Sequence, residues 1–274
     1  MATAQLLVAP ARADPSRSQD DWLGNLAGIV MAARGQGDAD VRHYEIWTGA
    51  DVGHNVWLAY TGTTIAPFGD IHEQGWRLRF TGGYGGYRYE SFDLTAETSS
   101  RHRAEVTFAD ALVGYLWRFD PLILKAFVGV GMIDHRIEPF DAQNLASGPD
   151  LGIKGALELW LNIGNDAYAS VDLTMSEAHL TRSARARLGY RYSAAISTGL
   201  EAGINADRQS DFKVSDLEQA SHRTEAWDYA RTGAFARYEW YGGEVSASAG
   251  LSGDVREARD KATPYATVNW IKQF

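Results

Sequence analysis

Cysteine is absent from the 274 residues, which removes disulfides, thiolate nucleophiles and cysteine metal sites. Long apolar runs are missing too: no window approaches the roughly 18 consecutive apolar residues that a spanning helix needs. Membrane strands are untouched by that exclusion, because a transmembrane barrel spreads its apolar residues over alternate positions. Positive charge is short, with 26 Lys and Arg against 35 Asp and Glu and a net charge of −9. A general nucleic-acid binder is therefore excluded. No H-E-x-x-H or G-x-S-x-G pattern occurs, and the Gly-rich GGYGGYRY at 82–89 follows no strand-to-helix turn that would make it a phosphate loop. Neither a metal nor a cofactor is expected.

What is present is glycine and aromatic residues: 28 Gly, 13 Tyr, 9 Trp and 10 Phe. The stretch Leu151–Ser176, LGIKGALELWLNIGNDAYASVDLTMS, shows how they are arranged. Leu151, Ile153, Leu157, Leu159, Leu161 and Ile163 alternate with Lys154, Glu158, Trp160 and Asn162. After Gly164-Asn165-Asp166 the alternation resumes, with Ala167, Val171 and Leu173 against Tyr168, Ser170 and Asp172. Period two is the signature of strands, whose side chains point to opposite faces, and the Gly-Asn-Asp step is a hairpin turn.

The same reading over the whole chain predicts about twelve strands, at 43–51, 56–67, 75–89, 103–118, 122–135, 151–163, 167–178, 183–193, 196–206, 226–240, 243–253 and 263–274. No helix interrupts them, so the sheet should be antiparallel. Tight connections such as Phe119-Asp120-Pro121, Gly164-Asn165-Asp166 and Tyr241-Gly242-Gly243 alternate with long polar ones at 90–103, 136–150, 206–226 and 252–263. Short turns on one rim and long loops on the other are characteristic of outer-membrane barrels. The first hairpin departs from this: 52–55 is short where a long loop is due, and Pro67–Gln74 is long where a short turn is due. Aromatics gather near strand ends, at Tyr115 and Trp117, Tyr190 and Tyr192, Tyr238 and Trp240, and Trp270, as interfacial girdles do. The expected fold is an all-β, transmembrane, antiparallel up-and-down barrel over 43–274, with a soluble β-sandwich as the alternative.

Upstream, the apolar run ending in Ala11-Arg12-Ala13 reads as the remnant of an export signal over 1–13. Residues 14–42 hold a short apolar helix at Trp22–Arg34, a plug or periplasmic element. The final strand ends on Phe274, which resembles the signal read by the barrel assembly machinery of the bacterial outer membrane, although Lys272 replaces an expected apolar residue.

If the apolar faces meet outer-membrane lipid, the polar faces line a lumen. That phase turns inward Arg77, Arg79, Asp110, Lys125, Lys154, Glu158, Asp172, Arg185, Arg187, Arg191, Glu201, Arg231, Arg237, Glu239 and Glu244, nine basic and six acidic groups. Trp160 and Phe235 join them, and Tyr168 shares the phase. Such charges either brace the barrel in pairs or form a path for polar or anionic solutes. Some barrels are lipid-modifying enzymes, and His102, His179 and His222 lie near acids and serines in the long loops. No motif joins them, and no catalytic residue is assigned.

Strands one to five carry a more particular pattern. Ile46-Trp47-Thr48-Gly49-Ala50-Asp51 is followed by Tyr60 and Gly62, then Gly75-Trp76-Arg77-Leu78-Arg79, Gly82 to Tyr89, Gly114-Tyr115 and Phe127-Val128-Gly129-Val130-Gly131. This order resembles the cellulose biosynthesis protein BcsS family, and the likeness runs from about residue 44 to the C-terminus. The resemblance implies an outer-membrane setting beside a β-1,4-glucan secretion apparatus, with secretion components or the glucan chain as partners. It implies no catalytic residues.

Overall fold

The computed structural model describes residues 41–93, 98–141, 144, 146–206, 229–254 and 262–274. Among them, twelve strands close into one barrel. They are β1 (Tyr44–Val52), β2 (Val56–Ile65), β3 (Gly75–Asp93), β4 (Thr98–Phe119), β5 (Leu122–Glu138) and β6 (Gly148–Ile163). The second half consists of β7 (Ala167–Ser176), β8 (Arg182–Arg191), β9 (Ile196–Ala206), β10 (Tyr229–Trp240), β11 (Gly243–Asp254) and β12 (Thr263–Gln273). Every strand pairs antiparallel with its neighbours in sequence, and β1 closes on β12 with Glu45 opposite Gln273 and Val52 opposite Ala266. Closure removes both sheet edges.

The outward face is apolar over a continuous band. Leu78, Phe80, Val113, Val128, Val130, Ile153, Leu173, Leu188, Leu200, Leu251 and Val268 are all exposed, a patch far larger than soluble monomers carry. The β-sandwich alternative fails here, since a sandwich buries those side chains. Aromatics bound the band. Near the short turns Trp76 packs edge-on against Tyr115, with ring centroids 5.4 Å apart, and Tyr190 against Tyr192 at 5.2 Å. Toward the long loops Trp57 meets Tyr84 at 5.4 Å. Trp76 and Tyr84 both point outward from β3; at ~3.3 Å rise per residue and ~40° tilt they stand roughly 20 Å apart, near the ~25 Å apolar band of membrane barrels.

Of two expected loops, 90–103 turns out to be largely strand and 136–150 is shortened at both ends. The hairpin of β3 and β4 continues through Tyr89 opposite His102 and Glu90 opposite Arg101 as far as Asp93 opposite Thr98. Likewise β5 runs on to Glu138 and β6 begins at Gly148. Beyond the apolar band the outward positions become Arg88, Glu90, Arg101, Arg103, Asp134 and Arg136, with Arg101 paired to Glu90 at 2.8 Å. The outward face is then polar and the inner one mixed, with His102 and His135 beside Ala104 and Ile137, so the regular alternation disappears while the backbone ladder continues.

The long turn between β2 and β3 is also explained. Arg77 folds back and donates to the carbonyls of Asp70 and Ile71 at 3.1 Å, and to that of Glu73. Burial pushes the Asp70 carboxyl up, but the N–H groups of Arg42 and His72, at 2.9 and 2.7 Å, outweigh it and hold the group below its ordinary range. The segment is thus tied under the barrel rim.

Above the band, Val106, Phe108, Ile133 and Ala178 form a small buried cluster with Leu58 and Tyr87 packed on it. The 3-10 turn Ala178–Leu180 after β7 folds onto this cluster. Together they cap the long-loop end on the β3–β6 side. The expected export signal, the Trp22–Arg34 helix and His222 lie outside the described residues.

Candidate functional site

The barrel interior is where polar side chains converge. Glu158 of β6 binds Arg79 of β3 at 2.5 Å and Lys125 of β5 at 3.3 Å, and the Arg79 guanidinium lies 3.7 Å over the Phe127 ring. Glu201 of β9 receives Arg185 at 2.6 Å and Arg187 at 2.9 Å through one oxygen, and the Tyr265 hydroxyl at 2.8 Å through the other. Arg231 of β10 reaches across the closure to Asp51 of β1 at 2.5 Å, and Thr267 donates to the same carboxylate at 3.0 Å. Arg237 holds Glu239 at 2.7 Å and Glu244 at 2.5 Å. Lys154 pairs with Asp110. Asp172 is buried directly between Glu158 and Arg185 in the strand register.

These contacts follow from strand order. In an antiparallel pair, residues directly opposite have Cβ atoms about 5 Å apart. The register sets Lys125, Glu158, Asp172 and Arg185 side by side across four strands, and Arg187 opposite Glu201. A charge taken from bulk water is tolerated when it is paired and hydrogen-bonded; the two guanidiniums on Glu201, itself fully buried, meet that condition.

Aromatics fill what the ion pairs leave. Trp160 stacks on Tyr168 with centroids 4.3 Å apart and planes at 15°, and Tyr168 bonds Ser197 at 3.2 Å. Phe235 is buried beside Arg187, whose guanidinium sits 4.8 Å from the ring. Glycine makes room at the inner wall of β8: a Cβ on Gly189 would lie 2.4 Å from the Tyr168 ring. The middle of the barrel is therefore packed, with Arg79, Tyr168, Ser197, Glu201, Phe235, Tyr265 and Thr267 all buried. Below it, toward the short-turn rim, a vestibule of about 590 Å³ opens among Glu45, Trp47, Trp160, Arg191, Glu239 and Gln273. A void of about 10 Å³ lies beside Asp110 and Lys154.

Arg77 does not meet the others: it is spent on the β2–β3 turn. Arg191 donates to Asn162 at 2.8 Å and to the Ala167 carbonyl at 3.4 Å, at the vestibule wall. The remaining fifteen charged and aromatic candidates form the clusters above. Sequence alternation leaves out Glu45, Trp47, Asp51, Tyr60, Tyr265, Thr267 and Asn269, which complete the interior from β1, β2 and β12. Their available signal was Trp47-Gly49-Asp51 alternating with Ile46-Thr48-Ala50, too weakly amphipathic to set a phase. With Glu45 and Asp51 inside, the acidic groups number eight against nine basic ones.

The histidines lie at the other end. His102 donates from Nδ1 to the Pro139 carbonyl at 2.9 Å, stacks on Tyr89 and stands 3.8 Å from Asp141. His179 contacts the Gly148 carbonyl at 2.9 Å and Asp150 at 3.7 Å. Among the described residues no serine hydroxyl bonds either ring; Ser100 is exposed and the Ser176 hydroxyl accepts from the Ala178 N–H. Both rings tie loops to strands. His135 bonds the Tyr87 hydroxyl at 2.9 Å, lies edge-on to His179 at 5.2 Å, and leaves its Nε2 buried without a partner.

Residues 46–216 match the family model described as cellulose biosynthesis protein BcsS. No curated protein sequence matches. Among solved structures the chain is similar to the COG4313 outer membrane channel from Pseudomonas putida F1, at 10% identity and TM-score 0.49, covering 88% of this chain and 100% of that one. It is also similar to the beta domain of the Bordetella autotransporter BrkA, at 12% and 0.48, covering 86% and 100%. A third is the KdgM porin, at 7% and 0.45, covering 84% and 99%.

Two outcomes follow from this geometry. Glu201→Gln leaves two buried guanidiniums uncompensated and should cost about 3 kcal/mol, read as the urea midpoint of the folded barrel in detergent. Glu239→Gln, one-third exposed at the rim, should cost less than about 1 kcal/mol; equal losses would contradict the packed interior. At the cap, His135 meets Tyr87 and His179 and, among the described residues, no carboxylate. Below about pH 6.5, where a free imidazole takes up a proton, the opened cap binds a proton the closed cap excludes, so stability falls with pH. Amide protection over 133–141 should drop between pH 7.5 and pH 5 in the native protein and stay level in His135→Phe.

Proposed function

This chain belongs to the cellulose biosynthesis protein BcsS family, and we propose that it serves cellulose secretion as an accessory barrel in the bacterial outer membrane. On this reading lipid covers the band of exposed Leu, Val and Ile, and the aromatic girdles sit at its two interfaces. The short turns and both ends of the barrel face the periplasm; the long loops with their histidine cap face outward. β12, which completes the barrel against β1 and ends beside Phe274, is the segment offered to the barrel assembly machinery.

One observation carries the accessory role over that of a glucan conduit: the packed mid-barrel. A glucan chain passing through would have to displace the Arg185–Glu201–Arg187 cluster and the Trp160–Tyr168 stack at once. Breaking one buried ion pair costs several kcal/mol, and nothing in the described interior offers the displaced charges new partners. The same closure argues against a porin for polar or anionic solutes. The reading is non-enzymatic: the two rim histidines with acids nearby are occupied in holding loops.

An accessory barrel acts through what it touches. Barrel purified from cells after mild cross-linking should carry components of the cellulose synthesis and export apparatus with it. Recovery of the barrel alone, from cells actively making cellulose, would contradict the assignment.

A further inference from the structure

The vestibule at the short-turn rim is a second feature of the interior that bracing the barrel does not require. Its volume of about 590 Å³ falls within the range of small-molecule sites, about 300–1,000 Å³. Its floor is closed by the packed mid-barrel, with the Tyr60 hydroxyl bound to Asn269 at 2.5 Å on one side and Arg79 bound to Glu158 on the other. It is a cup and not a passage.

The lining has two properties that together select a ligand. First, charge is nearly balanced: seven basic and five acidic side chains border it, and one of the basic ones, Arg187, is held by Glu201 behind the wall. Glu239 and Glu244 are both bound by Arg237. There is little net field to draw in an anion or a cation, but donors and acceptors stand side by side. Arg191 has five N–H donors and spends them on one amide oxygen and one carbonyl, with no carboxylate among the described residues. Asn162 and Gln273 add amides. Second, apolar ring surface is interleaved with those groups, from the half-buried Trp160 and Trp240.

We propose that this vestibule is a binding site for a short uncharged oligosaccharide of the oligoglucan class, entered from the short-turn rim. A pyranose ring presents C–H surface to aromatic walls and a rim of hydroxyls that both donate and accept. A hydroxylated chain can therefore accept from Arg191 and donate to Glu239 without any charge being buried unpaired. The naming of the sugar as a glucan rests on the function proposed above; the preference for an uncharged polyhydroxylated ligand rests on the lining alone.

The test uses the folded full chain in detergent, titrated with cellohexaose while tryptophan fluorescence is followed, since Trp47, Trp160 and Trp240 all border the cup. An acidic oligogalacturonate of the same length is the comparator. Cellohexaose should give a saturable change, and Arg191→Gln and Trp160→Leu, each checked for folding by heat-modifiable migration, should weaken it by about tenfold or more, ~1.4 kcal/mol. Glu90→Gln, at the exposed pair with Arg101 on the long-loop end, should bind as the native protein does. No saturable signal at millimolar cellohexaose, tighter binding of the acidic sugar, or unchanged binding in both folded vestibule variants would each overturn the proposal. Binding of cellohexaose by a barrel that recovers no secretion component would keep this site and discard the accessory role. Co-purification without binding would do the reverse.

Discussion

Closing twelve strands into a ring imposes one condition on every inward charge: it must find its partner within the ring. Water is largely excluded from the middle of the barrel, where Glu201 is fully buried between two arginines and a tyrosine. Unpaired, any of these groups would cost several kcal/mol. Pairing across strands also fixes register, because a one-residue slip turns every inward residue to the outside. Arg231 with Asp51 does this where it matters most, joining β10 to β1 across β11 and β12 at the closure of the sheet. Register, closure and the packed lumen are three consequences of the same set of ion pairs.

The two ends of the barrel then differ in kind. At the long-loop end β3, β4 and β5 rise past the apolar band and carry an inner face of Phe108, Ile133 and Val106 with three histidines near it. Apolar packing seals that side. At the short-turn end the strands finish close to the band, the β2–β3 turn is tied in by Arg77, and a polar, aromatic-walled cup is left open. A molecule built this way has an open cup at its short-turn end and a cap at its long-loop end. That asymmetry supports the accessory role proposed above over that of a free-standing pore.

Most of the barrel was legible in the sequence because two signals reinforce each other there. In Leu151–Ser176 the apolar positions fall strictly on one phase, and Gly164 marks the turn with φ of 62°. Both strands match the structure within a few residues, from Gly148 to Ile163 and from Ala167 to Ser176. Where an outward residue is no longer apolar, as from Arg88 in β3 or Asp134 in β5, alternation carries no information and strand was read as loop. In β1 the strand itself was legible at 43–51 but its phase was not. Its outward Thr48 and inward Trp47 invert the usual pattern, so Asp51 went unassigned although it anchors Arg231. Pairing is a matter of three dimensions: the sequence marks Glu201 and Arg187 as inward, but only the β8–β9 register sets them opposite each other.

The central claim is that these pairs close the lumen, and conductance tests it most directly. Purified native barrel, folded and inserted into planar bilayers, should show no steady channel current, and neither should barrel bathed in cellohexaose from either side. Stable, reproducible single-channel openings of the native protein would contradict the account.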